Sequence, residues 1–415
     1  MALSVISKGK ITVAIFAHAH PAFSKGGAEV AAMVLADHLQ AREEIDRVVL
    51  VGARPETNMR GFERYAQNNL IWNTPPVNHL DFSSAEIAVL RRDLETFINH
   101  YQPNVIHLHH FVSFGVEIIS LIKQIDPSIK VVLTAHEMLA ICHHNGQMVK
   151  TGSLELCSRA STVDCHRCFP EIPKESFWLR SHYIRDHINR ADVIISPSQF
   201  LLDRLAAFGL DSAKMRMIEN PQPYRKTLPQ VPQGDRRLRL GYFGQINRFK
   251  GLDVLLQAMN MLTQEQRDGL CLEVHGANFE LQPAYFQEQI VDLRKNLLLD
   301  GSVLWCGPYR HEDLPSRMGG VDWVLVPSIW WENSPMVIQE AIDFGRPVAC
   351  SDIGGMREKV AHRINGFHVT AGSPIAWARA LQDIRAQTSI NVTRTERHDA
   401  EKIVEVYLEA GQRGL

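Results

Sequence analysis

Glu332 and Glu340 stand with seven residues between them in the stretch Val326-Pro327-Ser328-Ile329-Trp330-Trp331-Glu332-Asn333-Ser334-Pro335-Met336-Val337-Ile338-Gln339-Glu340. Ser334 suits a helix N-cap, and Pro335 suits the first helical position, where its missing N–H costs nothing. The predicted helix runs to Phe344 and stops at Gly345, with Pro347 just beyond. Glu332 then sits in a loop, and the N–H groups of Met336, Val337 and Ile338 point out of the helix start as a ready anion site. Glu340 lies about a turn and a half further in. Carboxylates that read hydroxyls, beside amides that hold phosphate, suit a ligand with both groups, such as a nucleotide-sugar. Asn333, Ser334, Met336 and Val337 belong to that binding stretch.

Positive charge for a diphosphate comes from the loop Gly244-Gln245-Ile246-Asn247-Arg248-Phe249-Lys250-Gly251. A strand meets a glycine, then Arg248 and Lys250, then a helix, which can hold cations against a departing phosphate. The bland alternative is a solvated basic turn. Gly26 and Gly27 lie in the loop after the first strand, before a helix expected from Val30 to Gln40. Glycines there let backbone approach a ligand, although an ordinary turn would look the same. His109-His110 and His136 end two further strands; strand-end placement favours His136 as a donor to a sugar hydroxyl or a leaving phosphate.

Four of the seven cysteines cluster: Cys142, Cys157, Cys165 and Cys168. A Cys-x-x-Cys pair with two more thiols nearby, in a chain expected in the cytoplasm, suggests a structural zinc site with four thiolate ligands. An iron–sulfur cluster takes the same ligands, and unpaired thiols are the alternative without metal. Such a site would pin the long insertion between His136 and the helix at Phe177.

These residues need scaffolds. The 415 residues are too many for one ordinary core, so two domains are expected. Strand-like apolar runs alternate with helical patterns, which argues α/β with parallel sheets. The first series is Ile11–Ala17, Arg47–Gly52, Val105–His109, Lys130–Ala135, Asp192–Ser196 and Met215–Glu219. The second is Leu238–Phe243, Leu272–Gly276, Ser302–Cys306, Asp322–Val326, Val348–Ser351 and Gly366–Thr370. The expected domains are 1–222 and 237–392, joined by a Pro-rich linker over 223–236, with a last helix over about 393–415. Two doubly wound halves place ligands at the carboxyl ends of the strands, in a deep crevice. The segment 176–190 mixes aromatic and basic residues; a helix packing its Phe, Trp and Ile on the sheet is favoured over a membrane-facing surface.

Apolar content of 45%, charge of 22% and net charge of −2 describe a soluble globular chain without a basic field for nucleic acid. No apolar run approaches a membrane span, and Ile11–Ala17 reads as a strand, not a signal peptide. A cytoplasmic protein, with peripheral contact on the inner face of a membrane left open, is expected. A nicotinamide oxidoreductase should carry Gly-x-Gly-x-x-Gly after its first strand, and the chain has no Gly-x-Gly.

Together these residues resemble the family-4 glycosyltransferases of the GT-B fold, over most of the chain. Glu332 and Glu340 look like the family's paired glutamates, followed by Gly345-Arg346-Pro347-Val348 and Gly354-Gly355-Met356-Arg357-Glu358. Gly244 to Gly251 is similar to its phosphate loop, with Gln245 where the family usually has a basic residue. Gly26-Gly27-Ala28-Glu29 looks like its N-terminal glycine loop, and His136 takes the place of its strand-end histidine. The resemblance implies two Rossmann-like domains and retaining hexosyl transfer from a UDP- or GDP-sugar donor to a glycan, lipid-linked or small-molecule acceptor, in surface polysaccharide or glycoconjugate biosynthesis. It also implies that Glu332 and the amides after it meet the sugar, Glu340 the ribose, Lys250 the diphosphate and His136 the transferred sugar. The final helix would pack back on the first domain. No Asp-x-Asp triplet is present, so no catalytic metal is expected. A sugar-nucleotide epimerase or hydrolase, and a non-catalytic nucleotide-sugar scaffold, are the competing readings.

Overall fold

The computed structural model describes residues 9–20, 23–24, 26–55, 59–222, 237–386, 390, 392 and 398–410. The chain forms two compact units, Met1–Pro223 with His398–Leu415, and Tyr224–Arg397. The expected linker over 223–236 lies outside the described residues.

The first unit carries β1 (Ile11–Ala17), β2 (Ile45–Ala53), β3 (Gly61–Ala66), β4 (Asn69–Asn73), β5 (Val105–Leu108), β6 (Lys130–Thr134), β7 (Val193–Ser196) and β8 (Met215–Met217). They form one eight-stranded sheet in the order β3-β4-β2-β1-β5-β6-β7-β8. All pairings are parallel except β3 with β4. The sequence reading lacked β3 and β4. β3 is a partly exposed edge, and the buried apolar run of β4, Leu70-Ile71-Trp72, is short. Asn68, with φ 55°, turns the chain between them.

β1 is buried almost throughout, since helices or aromatic residues cover both sheet faces. Val13, Ile15 and Ala17 pack with Ala32, Leu35 and Leu39 of the helix Gly27–Gln40, and with Ile403, Val404 and Tyr407 of the helix Asp399–Ala410. On the other face Phe16 meets Trp72, Phe97 and Phe114 at centroid distances of 5.9, 5.2 and 5.7 Å. Two polar anchors lock the C-terminal helix to this unit: Tyr407 Oη lies 2.6 Å from His107 Nδ1, and Lys130 Nζ donates to the Val406 carbonyl.

The second unit carries β9 (Leu238–Gln245), β10 (Leu270–Ala277), β11 (Val303–Trp305), β12 (Trp323–Val326), β13 (Val348–Ser351) and β14 (Gly366–Val369). Its all-parallel sheet runs β11-β10-β9-β12-β13-β14. Strand alternation divides the core: Leu240 and Tyr242 of β9 face one apolar cluster with Leu272, Leu325 and Trp377, and Phe243 faces another with Ile338, Phe344 and Met356.

Three local expectations need correction. The helix after β12 is Met336–Asp343, with Pro335 as its N-cap in place of Ser334. The ψ of Pro335 is extended at 116°, while its carbonyl already accepts from Ile338 N at 3.0 Å. The first helix starts at Gly27, not Val30. On the helix Lys174–Ile188, Phe177, Arg180, Ile184 and Ile188 are buried, but Trp178 and Leu179 are exposed instead of packing on the sheet.

Candidate active site

In the second unit, two loops separated by 82 residues meet. The first follows β9 and contains the 3-10 turn Arg248–Lys250; the second joins β12 to the helix Met336–Asp343. Asn247 Oδ1 accepts from the N–H groups of Phe249 and Lys250 and so shapes the first loop. Ile329 N donates to Phe249 O at 2.8 Å and ties the loops together. Gly251, at φ +70°, sits so close that an added Cβ would lie 2.1 Å from Pro327 O. From the other side Gly355 N donates to Glu332 O at 2.8 Å, and a Cβ on Gly355 would lie 1.5 Å from Asn333 O. The glycines noted in sequence are thus points where backbone touches backbone.

This clamp aims Glu332. Its Oε1 accepts from Lys250 Nζ at 2.6 Å, Ser328 Oγ at 2.8 Å and Trp330 Nε1 at 2.8 Å. All three bonds fall on one oxygen, which leaves Oε2 outside the set. Burial works to raise the Glu332 carboxyl, but the charge of Lys250 and the three bonds outweigh it and hold the group below its usual range. Trp330 stacks on Phe249 at 5.6 Å and lies 5.7 Å from Lys250 Nζ, so one of the tandem tryptophans is part of the scaffold of the pair. Ser328 and Trp330 were missed as site residues; a hydroxyl at i−4 and an indole at i−2 of a loop glutamate are weak signals without the fold.

Asn333 and Glu340 are buried, and the phenol of Tyr309 is raised first by burial and then by the charge of Glu340. No side chain caps the helix Met336–Asp343. The amide of Ile338 is taken by Pro335 O, so Met336 and Val337 supply the open amides beside Ser334. Arg248 turns away from Lys250: its guanidinium reaches Tyr285 Oη at 3.5 Å. Gln245 is exposed at the end of β9. The structure therefore gathers Lys250, Glu332 and the helix start, and sets Arg248 to one side.

In the first unit, histidines crown the carboxyl ends of β1, β5 and β6. His136 Nε2 lies 3.2 Å from His109 Nδ1, with the rings stacked at 5.3 Å. His110 Nδ1 accepts from the N–H groups of Phe111 and Val112, so its proton sits on Nε2, which donates to Glu137. His18 packs 4.9 Å from His110 and lies 3.4 Å from Glu29. Burial first, then the neighbouring imidazoles, depress His18, His109 and His136, the last to about 3. These rings are neutral near pH 7, so His136 can donate or accept a hydrogen bond without adding a charge. His109 Nε2 is buried without a partner.

Gly26 is the N-cap of the first helix, and Gly27 its first residue. A Cβ on Gly26 would lie 2.5 Å from Glu29 Oε2, and Glu29 also accepts from Ser24. The protein's own carboxylate therefore occupies the helix start that the sequence suggested for a ligand anion. Pro21, Ala22 and Lys25 lie outside the described residues. The four clustered cysteines are of intermediate burial and form no disulfide among the described residues. No described helix is long and apolar enough to cross a membrane.

Two family profiles match the chain, one over each series of strands: Glycosyltransferase Family 4 over residues 25–221, and Glycosyl transferases group 1 over residues 225–398. The chain is 25% identical to a D-inositol 3-phosphate glycosyltransferase of Corynebacterium diphtheriae, over 69% of this chain and 63% of that protein. It is 28% identical to a lipopolysaccharide 1,2-N-acetylglucosaminetransferase of Salmonella typhimurium, over 61% of this chain and 64% of that protein. The chain spans about a third to two thirds of the length of the curated relatives it matches. Among solved structures, the Anabaena protein HepE in complex with UDP superposes with a TM-score of 0.62 over 97% of this chain and 98% of its own, at 17% identity. The two parallel-sheet units are those of the GT-B fold.

Proposed function

Because the chain belongs to the family-4 glycosyltransferases, we propose that it transfers a hexosyl group from a nucleoside diphosphate sugar to an acceptor hydroxyl, with retention of anomeric configuration. The observation that carries this reading is the Lys250–Glu332 pair, fixed by two loops at the carboxyl ends of β9 and β12 beside an uncapped helix start. As the sugar–phosphate bond breaks, negative charge grows on the leaving diphosphate. Lys250 and the amides of Met336 and Val337 are preorganised donors for that charge. Glu332, ionised and with Oε2 outside its internal bonds, suits a sugar hydroxyl, and buried Glu340 suits the ribose hydroxyls. His136, neutral at working pH, suits a hydroxyl of the transferred sugar.

In this reading the donor belongs to the second unit and the acceptor to the first. UDP is the leading donor base, since HepE was solved with UDP. Phosphorylated cyclitols, glycans and lipid-linked sugars are the acceptor classes to test, guided by the names of the relatives. The reading places the enzyme in the cytoplasm, with any peripheral membrane contact falling to exposed Trp178 and Leu179.

The test is release of free nucleoside diphosphate from a panel of UDP- and GDP-sugars, with and without these acceptors. Acceptor-dependent release that persists in EDTA, with a product of the donor's anomeric configuration, is the expected result. Tight nucleotide binding without turnover on any donor would instead identify a scaffold, and acceptor-independent release a hydrolase.

A further inference from the structure

The insertion between β6 and the helix Lys174–Ile188 is poorly explained by apolar packing alone. Its short helix, Thr162–Cys168, buries none of its residues, and the rest is loop apart from an isolated bridge between Val149 and Leu156. Yet Cys142, Cys157, Cys165 and Cys168 all line a single cavity of about 30 Å³ together with His143 and His144. Cys165 and Cys168 lie on the same helix at i and i+3, and so on one face.

A second observation points to the same place. Arg180 is buried, and its guanidinium donates to the carbonyls of Leu80, Leu139, Ala140 and Ile141. No carboxylate forms an ion pair with it among the described residues. Burial pushes the guanidinium down to about 10, and Cys142, Cys165 and Asp81 act on it in the opposite direction. A buried cation without a paired anion is costly. Four thiolates on a divalent zinc ion carry a net charge of −2, which would more than offset that single positive charge.

We propose that these four cysteines form a structural zinc site that pins the insertion and neutralises the environment of Arg180. In a tetrahedral site with Zn–S bonds of about 2.3 Å the sulfurs lie about 3.8 Å apart. Among the described residues the three donors already within 4.8 Å of one another are elsewhere, at Glu273, His275 and Cys306. That trio is not the metal site: Arg239 holds Glu273, and Arg317 donates to His275 Nδ1 at 3.1 Å while His275 Nε2 faces Glu273. The four cysteines line one cavity, with Cys157 Sγ donating to Arg159 O at 3.1 Å, and zinc binding would draw their sulfurs together, with loss of the thiol protons to solvent.

The experiment is elemental analysis of the full chain purified under reducing, chelator-free conditions. One zinc ion per chain is expected, falling to none in the Cys165→Ser/Cys168→Ser double variant. Should that variant fail to fold, chelator-stripped wild-type chain titrated with cobalt(II) gives the second readout: thiolate-to-cobalt charge-transfer absorption at one equivalent, and a higher Tm when zinc is restored. A wild-type chain without zinc, with the visible absorption of an iron–sulfur cluster, or with two disulfides among these cysteines would overturn the proposal. So would zinc content unchanged by the double substitution.

Discussion

At the scale of single residues, the Lys250–Glu332 pair couples stability to chemistry. Lys250→Ala would leave Glu332 buried among two remaining donors, at a cost near the lower end of the ~3–5 kcal/mol typical of a broken buried pair, since the lysine is partly exposed. Turnover should fall at the same time, because charge on the leaving diphosphate loses its cation. Denaturation and steady-state kinetics on the same sample check both; unchanged kcat would remove Lys250 from the chemistry. Glu340→Ala should raise the nucleotide Kd by roughly ten- to a hundredfold, the loss of a charged hydrogen bond worth about 1.5–3 kcal/mol. Calorimetric titration with UDP decides it. Titration of the strand-end histidines adds a pH effect. His107 and His136 ordinarily take a proton near 6.5, and in the folded chain only near about 3, because burial disfavours the imidazolium. Between those values the unfolded state binds more protons, so stability must fall as pH falls below 6.5. Glu332, depressed from its ordinary 4.5, extends the loss in the same direction at lower pH. A Tm that stays constant from pH 7.5 to 5 would contradict this account.

At the scale of elements, the site depends on backbone contact more than on side-chain packing. Gly251 combines a left-handed φ with a carbonyl 2.1 Å from where its Cβ would be, and Gly355 faces Asn333 O still more closely. Gly251→Ala and Gly355→Ala should therefore push the 327–335 loop away from Lys250, at about 1–3 kcal/mol, from backbone strain at Gly251 and overpacking at Gly355. Donor binding should weaken more than overall stability does, because the displaced loop carries Glu332. Comparable losses in both, measured by UDP titration and urea unfolding, would show the contact to be merely structural. Glycine's presence at these positions is visible in the sequence; the carbonyl that each one meets comes from a different loop and is not. Gly26 differs, because its neighbour is local: the carboxylate of Glu29 in the first turn of the helix that Gly26 caps.

At the scale of the whole molecule, the chain leaves its first unit near residue 223 and returns to it at residue 398. The helix Asp399–Ala410 completes the first core, with Tyr407 buried against His107. Tyr407→Ala should destabilise that unit by about 3–5 kcal/mol, as loss of a buried aromatic side chain does. A two-step thermal transition, with only the first-unit step shifted, is the expected signature; an unchanged melt would deny the helix a place in the core. The alternation of apolar strands and amphipathic helices, the glycine and proline punctuation and the spacing of Glu332, Glu340 and Lys250 were legible because they follow local rules of period, turn chemistry and charge. Twelve of the strands were found that way, and the hairpin of β3 and β4 was not, since β3 is partly exposed and the buried apolar run of β4 is only Leu70-Ile71-Trp72. What tertiary structure alone decided is partnership: that Ser328 and Trp330 share the Glu332 oxygen with Lys250, that Arg248 turns to Tyr285, and that His136 rests on His109. Those contacts join residues through space, where only the packing of buried strands fixes the distance between the loops at their ends.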